Sequence, residues 1–373
     1  MQVPEALRAR FYEGGQGHVF KFIDGGAISA SASSALITQL ETIDVKLVNE
    51  LFAATMESAR AGLSAGALTA CSDVTVLASA PHADVDAWRA RAMTAIGKGQ
   101  LAALILAGGQ GTRLGSSRPK GEYDIGLPSG KSIFALIAAR VQRLRHLARV
   151  ADDAPLPALP LYVMTSPMTD NDTRAFWKEM NFFGLPAADV RFFSQGTLPC
   201  MTSDGAIILE HGGAVAEAPD GNGGIYRALH TSGVVADLRA RGVIGTHVFA
   251  VDNAIVRPAD PAFLGFCIER NADVGSKVCT KSGPHEKVGV LCQVGGVYSV
   301  VEYSEMDKEA AERRDDTGAL VFNAGNICIH YYSTDFLDGP CSPAHLPKVY
   351  HLAKKVRSRA GGGEGEVSTC VAN

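Results

Sequence analysis

The feature that most restricts the fold of this chain is an apolar run followed directly by a glycine-rich loop. Residues 101–106 are all apolar and predict a buried strand, and residues 107–121 then read AGGQGTRLGSSRPKG. Glycine lets the backbone turn tightly and bring its N–H groups against an anion, while Arg113 and Lys120 supply fixed positive charge. The combination predicts a phosphate-binding loop at the carboxyl end of a strand.

Two common phosphate-binding motifs are not met by this loop. The dinucleotide fingerprint G-x-G-x-x-G fails, because Gly111 and Gly115 are separated by three residues rather than two. A P-loop ending at residues 130–132 would need glycine where Ile125 stands. These departures disfavour a nicotinamide-dependent oxidoreductase. A binding experiment that shows no binding of NAD would exclude that class of enzyme.

Composition places the chain among globular proteins with reduced thiols. The 373 residues are 46% hydrophobic, which allows two or three domains, and the formal charge of −4 argues against a nucleic-acid partner. Eight cysteines without a C-x-x-C pair suggest neither a zinc site nor a disulfide framework. With no apolar run near the roughly 20 residues that cross a bilayer and no signal-peptide core, we expect a cytoplasmic protein that does not bind membranes.

Residues 1–96 read as a mainly helical N-terminal domain. Ser34 is predicted to cap a helix that continues to Phe52, and a second helix is predicted over residues 83–97. Residues 97–340 are predicted to form the catalytic domain, and residues 341–373 a shortened C-terminal segment with a flexible, glycine-rich tail.

The middle of the chain alternates short apolar runs with helix-like segments, which is typical of an α/β domain whose mainly parallel sheet carries helices on both faces. Strands are predicted at 101–107, 159–165, 190–194 and 246–251, and helices at 131–149, 170–182 and 224–241. Later runs are shorter and closer together, as expected of hairpins added to the sheet, at 276–280, 288–293, 297–302 and 326–332. His247 and His330 lie in apolar strands and are predicted core residues rather than metal ligands.

Five further motifs follow the glycine loop: FFSQG at 192–196, PDGNGGIY at 219–226, HVFAVDN at 247–253, VEYSE at 301–305 and FNAGNI at 322–327. Together with the loop, and in this order, they resemble the eukaryotic-type UDP-N-acetylglucosamine pyrophosphorylases of the UDP-sugar pyrophosphorylase superfamily. The resemblance is dense from about Leu101 to about Lys355. It implies a Rossmann-like nucleotidyltransferase (nucleotide-diphospho-sugar transferase) fold, with a mixed, mainly parallel central sheet preceded by a small helical N-terminal domain.

The resemblance also implies an activity. It is uridyl transfer, in which N-acetylglucosamine-1-phosphate attacks the α-phosphorus of UTP in line and releases pyrophosphate, with Mg²⁺ as the cofactor. Both reactants are anions, so the protein must neutralise charge and align the reacting groups. By resemblance, Arg113 and Lys120 are the catalytic residues that contact the triphosphate, and Asp252 is the metal ligand.

Further residues are assigned by the same resemblance. A glutamine amide can pair with both a donor and an acceptor of a uracil edge, and Gln195 matches the family's uracil-binding glutamine. The nucleotide-binding residues implied are Gly108, Gly109, Gly111, Gln195 and Gly221. The sugar-binding residues implied are Asn222, Gly289, Glu302 and Asn326.

Two alternatives stay open at this point. One is the same chemistry on another hexose-1-phosphate (glucose, galactose or N-acetylgalactosamine), which a comparison of sugar phosphates would separate. The other is a catalytically silent UDP-sugar-binding protein, because the family continues past the segment matching Lys355 into a further domain that adds another lysine, and this chain is predicted to lack it. We also expect a monomer.

Overall fold

A computed structural model describes residues 2–61, 68–111, 115–116, 118–151, 153–220, 223–345, 351–356 and 367–372. The helices are α1 Glu5–Glu13, α2 Lys21–Asp24, α3 Ala30–Thr42, α4 Val45–Ala61, α5 His82–Gly97, α6 Ile133–Leu147, α7 Asp170–Glu179, α8 Gly224–Thr231, α9 Val234–Ala240, α10 Pro261–Glu269, α11 Lys308–Glu312 and α12 Thr334–Asp338. The strands are β1 Leu68–Ala70, β2 Leu101–Leu106, β3 Leu161–Thr165, β4 Val190–Ser194, β5 Thr197–Pro199, β6 Leu209–His211, β7 Ala214–Val215, β8 Glu217–Pro219, β9 Gly245–Ala250, β10 Val274–Thr280, β11 Val290–Val294, β12 Val297–Val301, β13 Ala324–Ser333, β14 His351–Val356 and β15 Val367–Ala372.

The chain folds into two compact units. The first contains residues 1–61, 195–225 and 346–373, and the second contains residues 62–194 and 226–345. These units divide the chain at other positions than the predicted domain boundaries, because residues 62–96 belong with the sheet and residues 195–225 with the N-terminal helices. Core packing explains both assignments.

The first unit has a core of helical side chains completed by short strands from later in the chain. Phe11 and Leu36 are fully buried, and Met201 and Ile207 pack into the same cluster. Antiparallel pairs β5–β8, β6–β7 and β14–β15 complete this unit. Residues 195–225 therefore belong to the first unit, because apolar side chains such as Met201 and Ile207 fill its helical core.

The predicted helix from Ser34 to Phe52 is wrong, because the structure has two helices there. Ser29, not Ser34, caps α3 and its Oγ accepts the Ala32 N–H at 3.2 Å. Ile43 is extended, and the Asp44 carboxylate then accepts the Leu47 N–H at 3.0 Å at the start of α4. A local aspartate hydrogen bond at a helix N-terminus competes with continuation of the preceding helix.

The second unit is built on a nine-stranded mixed sheet with the order β1-β11-β13-β9-β2-β3-β4, to which β10 adds on β13 and β12 on β11. Strands β9, β2, β3 and β4 are mutually parallel, and the remaining pairs are antiparallel. The mixed α/β fold and the appended hairpin β11–β12 are confirmed. The sheet is not mainly parallel, however, because only β9, β2, β3 and β4 are parallel and every strand added beyond β9 pairs antiparallel. Strand β1 is only three residues long and carried no periodic signal in the sequence.

Helices cover the parallel strands and create the core of this unit. Phe134 and Ile137 of α6, Trp177 of α7 and Leu264 of α10 pack on the sheet in one cluster. Helix α5 crosses α10 closely, since an added Cβ at Gly265 would lie 1.8 Å from the Trp88 carbonyl oxygen. This crossing explains why residues 82–97 belong to the sheet unit.

Two helix predictions in this region need correction. The predicted helix 224–241 is two helices, because Gly233 adopts a left-handed conformation with φ of 72° between α8 and α9. The predicted helix 170–182 ends at Glu179, since Phe182 and Phe183 are also left-handed, with φ of 51° each. In the part of the chain that the structure describes, no helix is both long and apolar enough to cross a bilayer.

Candidate active site

The glycine loop begins where the buried strand β2 ends, as predicted. Gly108 accepts a 2.8 Å hydrogen bond from the Ser166 hydroxyl, and Gly111 donates its N–H to the Arg118 carbonyl at 3.0 Å. Gln110 and Pro119 form an antiparallel bridge. The two ends of the loop are therefore held together by backbone contacts. Arg113 lies outside the described residues, so its assignment stays a prediction.

Lys120 lies directly beside the first glycines of this loop. Its N–H donates to the Gly109 carbonyl at 3.2 Å, and an added Cβ at Gly109 would lie 3.6 Å from its Cε. Its ammonium donates to Asp252 Oδ2 at 3.0 Å, with 29% of the lysine side chain and 58% of the aspartate side chain exposed. The structure thus joins the predicted cation to the predicted metal ligand.

Sheet topology explains why these two residues meet. Strands β2 and β9 are parallel neighbours, with Leu106 opposite Ala250, and the Val251 N–H donates to the Leu106 carbonyl at 3.0 Å. Asp252 follows at once, so it emerges at the same edge of the sheet as the glycine loop. Ligands bind at this edge in open parallel sheets.

The three predicted sugar-site residues of the second unit also lie together. The Asn326 N–H donates to the Gly289 carbonyl at 2.8 Å. A Cβ added at Gly289 would lie 2.9 Å from Val300 Cγ1 and 3.2 Å from Glu302 Oε1, so glycine lets the backbone lie close to this carboxylate. An amide, a carboxylate and a close backbone approach are the groups needed to bind sugar hydroxyls.

A bulge in β13 places Cys328 near these groups, which sequence reasoning missed. The register with β10 shifts between Lys277 and Val278, and Cys328 has a φ of 54° while its N–H donates to Asn326 Oδ1 at 3.1 Å. Burial raises the pKa of the Cys328 thiol, and the negative charges of Asp252 and Glu302 raise it further. Bulges often re-aim side chains at functional sites, but the alternation of apolar residues gives no signal for one here.

The turn that carries Lys120 contains a buried carboxylate that lies against a residue of the glycine loop. Glu122 Oε2 lies 2.6 Å from Arg118 Nε, and the Glu122 side chain is only 4% exposed. Burial raises the pKa of Glu122. Gly121 lies against the ring of Phe134, since an added Cβ would meet Phe134 Cζ at 2.1 Å. Sequence reasoning singled out neither residue as a support for Lys120.

Gln195 follows strand β4 and belongs to the first unit. It is 8% exposed, so the structure buries this predicted uracil-binding side chain. Gly221 and Asn222 lie outside the described residues, and their roles stay predictions. The structure therefore brings Lys120 and Asp252 together, and likewise the Gly289, Glu302 and Asn326 set, each within the second unit.

A single carboxylate suits a magnesium ion that is shared with phosphates. Among the residues that the structure describes, no three histidine, cysteine, aspartate or glutamate side chains form a ready metal cluster. Mg²⁺ is usually held by one or two carboxylates together with substrate phosphates and water. Asp252 fits this requirement, since about half of its side chain is exposed and its Oδ2 already faces a cation, the Lys120 ammonium.

A glycine loop, a lysine and a carboxylate at the carboxyl ends of neighbouring parallel strands are the arrangement expected of an α/β protein that binds the phosphates of a nucleotide. The chain belongs to the family described as UTP–glucose-1-phosphate uridylyltransferase, whose profile matches residues 69–338. The predicted nucleotidyltransferase fold and enzyme class are confirmed.

Individual proteins named for UDP-N-acetylhexosamine or UDP-N-acetylglucosamine are similar to most of this chain. A Xenopus tropicalis protein named UDP-N-acetylhexosamine pyrophosphorylase-like protein 1 is 41% identical over 358 residues, covering 94% of this chain and 70% of that protein. UDP-N-acetylglucosamine diphosphorylase 2 of Arabidopsis thaliana is 39% identical over 360 residues, covering 94% and 71%. The crystal structure of the uridine diphosphate N-acetylglucosamine pyrophosphorylase of Trypanosoma brucei has a TM-score of 0.86 and 30% identity, covering 100% of this chain and 74% of that one.

Proposed function

We propose that this chain forms UDP-N-acetylglucosamine and pyrophosphate from UTP and N-acetylglucosamine-1-phosphate. The observation that carries the proposal is the Lys120–Asp252 pair beside the glycine loop, at the shared edge of β2 and β9. Relatives at 39–41% identity whose names specify UDP-N-acetylhexosamine or UDP-N-acetylglucosamine support the choice of sugar.

The residues divide the work of the reaction between charge and position. Backbone N–H groups of the loop at Gly108 and Gly109, with Arg113 and Lys120, neutralise the triphosphate and the departing pyrophosphate. Gly111, whose N–H donates to the Arg118 carbonyl, closes the loop around the phosphates. Lys120 donates to phosphate oxygens once UTP offers them in place of Asp252. Little proton transfer is needed, because the nucleophile is already an ionised phosphate oxygen.

Substrate recognition completes the alignment. Gln195 and Gly221 bind the uridine part, and Asn222, Gly289, Glu302 and Asn326 bind the sugar and its acetamido group. Asp252 would hold Mg²⁺, which supplies neutralisation of charge on the phosphate oxygens when it is bound. In-line geometry then follows from holding both substrates at fixed positions, which can contribute several kcal/mol, roughly 7–11 at the upper limit, to lowering the barrier.

A second substrate is favoured by one specific observation. The description of the matching family names glucose-1-phosphate. One or two pocket contacts discriminate by only about 1–3 kcal/mol, so activity on glucose-1-phosphate at a reduced rate is compatible with the same site. We further propose that the protein works as a monomer in the cytoplasm, without nucleic-acid or membrane partners.

The test is pyrophosphate release by the purified chain with UTP and Mg²⁺, using N-acetylglucosamine-1-phosphate and glucose-1-phosphate in parallel. We expect faster release with the N-acetyl sugar and at least a tenfold loss for Lys120→Ala, equivalent to about 1.4 kcal/mol or more of transition-state stabilisation. Faster release with glucose-1-phosphate would reassign the sugar. UDP-N-acetylglucosamine binding without any turnover would make the chain a UDP-sugar-binding protein.

A further inference from the structure

The first unit contains a buried carboxylate, Asp220, that the proposed reaction does not use. Asp220 is 9% exposed and directly follows strand β8, which pairs with β5 through Pro219 and Thr197. Its N–H donates to the Gly196 carbonyl at 3.1 Å. The backbone of Asp220 is therefore fixed to the residue that follows Gln195.

The side chain of Asp220 fills a space that two glycines leave open. An added Cβ at Gly196 would lie 2.7 Å from Asp220 Oδ2, and an added Cβ at Gly224 would lie 1.9 Å from Asp220 Oδ1. Atoms this close cannot coexist, so a side chain at either position would displace the carboxylate. Gly196 follows Gln195, and Gly224 ends the run that begins with Gly221 and Asn222.

The N-terminus of helix α8 lies close to the Asp220 carboxylate. Gly224 is the first residue of helix α8, and the N-terminus of a helix carries a partial positive charge that stabilises a nearby carboxylate. An ionised group is expensive to bury without such compensation. The position therefore suits an aspartate better than an apolar side chain of equal volume.

From these contacts we propose that Asp220 is a positioning residue for uridine recognition, a role that rests on the proposed function. Its carboxylate holds the Gln195–Gly196 backbone at a fixed distance from the start of α8. Gln195 acts on the uracil, and Asp220 acts through Gln195. A side chain that sets the position of a base-reading amide should affect the choice of base and not only the stability of the unit.

The experiment measures binding of UDP and CDP by calorimetry to the full chain, to Asp220→Asn and to the double variant Asp220→Asn/Gln195→Ala. Glu41→Gln is the matched control, because it removes one carboxylate charge from an exposed position in the same unit. We expect Asp220→Asn to weaken UDP binding at least tenfold and to reduce the preference for UDP over CDP at least fivefold. In the Gln195→Ala background the same substitution should change UDP binding by less than threefold.

The outcomes separate this inference from the proposed function. A wild-type chain that binds neither UDP nor UDP-N-acetylglucosamine overturns the proposed function itself. Wild-type binding with an unchanged UDP preference in Asp220→Asn overturns the positioning role alone, and so do additive effects in the double variant. If Asp220→Asn does not fold, Gly224→Ala displaces the same carboxylate and is expected to give the same loss of UDP preference.

Discussion

Substituting Gly121 by alanine tests whether packing behind Lys120 supports catalysis. The new Cβ would lie 2.1, 2.2 and 2.5 Å from three ring carbons of Phe134. Since carbon atoms need about 3.5 Å, either the ring or the turn must move by about 1.4 Å. Phe134 is fully buried and packs edge-on against the equally buried Trp177, with ring centroids 5.3 Å apart.

Both ways of relieving this overlap have measurable consequences. Displacing the ring in a close-packed core lowers the free energy of unfolding by about 1–3 kcal/mol. Displacing the turn moves Lys120 from its position beside Asp252, and a misplacement of about 1 Å can slow a reaction about 100-fold. We therefore expect Gly121→Ala to lower the free energy of unfolding, measured in urea, by about 2 kcal/mol. We also expect it to lower the rate of pyrophosphate release at least tenfold.

Controls make this prediction specific. Gly283→Ala is the matched control, because an added Cβ there meets nothing within 4 Å and its φ is not in the left-handed region. Adding Phe134→Leu to Gly121→Ala makes room for the Cβ, so the effects of the two substitutions should be less than additive. Wild-type stability and turnover in Gly121→Ala would refute the claim that this packing positions Lys120.

Three further expectations concern the second unit. Gly265→Ala should lower the free energy of unfolding by about 3 kcal/mol in denaturant titrations, since the Cβ would meet the rigid Trp88 carbonyl at 1.8 Å; a change below about 0.5 kcal/mol would contradict the close helix crossing. Lys120→Met should tighten nucleotide-free Mn²⁺ binding, measured by electron paramagnetic resonance, by about 1.4- to 5-fold, because an exposed ion pair is worth about 0.2–1 kcal/mol; weaker binding would argue against Asp252 as the ligand. Burial lowers the pKa of His247 to about 3 and of His330 to about 4 from an ordinary 6.5, so the unfolded state binds more protons than the folded state below pH 6.5. The free energy of unfolding should therefore fall as the pH drops from 6.5, by up to about 1.4 kcal/mol per pH unit for each histidine. An identical slope of stability against pH in His247→Gln would show that His247 does not contribute to this pH dependence.

Local sequence patterns predicted the parts of the fold that depend on local signals. The run at 101–106 and the run at 190–194 are strands β2 and β4, because uniformly apolar or alternating residues bounded by turns leave few alternatives. The predicted hairpin runs at 288–293 and 297–302 likewise form β11 and β12, which are joined by Gly295 and Gly296, both with positive φ. Such elements carry their own explanation in a few neighbouring residues.

Other features depended on side-chain hydrogen bonds and ring contacts that the spacing of apolar residues does not show. Asp44 ends one helical run and begins another, which apolar spacing alone did not indicate. The left-handed residues Phe182 and Phe183 are held by a hydrogen bond from the Gln142 amide to the Phe183 carbonyl at 2.7 Å and by a Trp177–Phe183 ring contact of 4.9 Å. Neither Gln142 nor Trp177 is adjacent to Phe183 in sequence, so the sequence pattern predicted that α7 extends beyond Glu179, where it ends.

The candidate site shows the same division. The glycines after a predicted strand identified the loop and Lys120, and the family resemblance added Asp252. Parallel topology explains why these residues meet. Cys328 was missed, since a bulge is set by the register between two strands and not by one of them. Glu122 was missed because the burial of its side chain depends on packing around its turn, which the sequence does not show.

The most direct test of uridyl transfer is to follow the products by phosphorus NMR when the chain is given UTP, N-acetylglucosamine-1-phosphate and Mg²⁺. We expect the sugar phosphate signal to be replaced by a UDP-N-acetylglucosamine diphosphate signal, with one pyrophosphate released for each. Release of UMP and pyrophosphate without a sugar nucleotide, or no change in either substrate, would contradict uridyl transfer to the sugar phosphate.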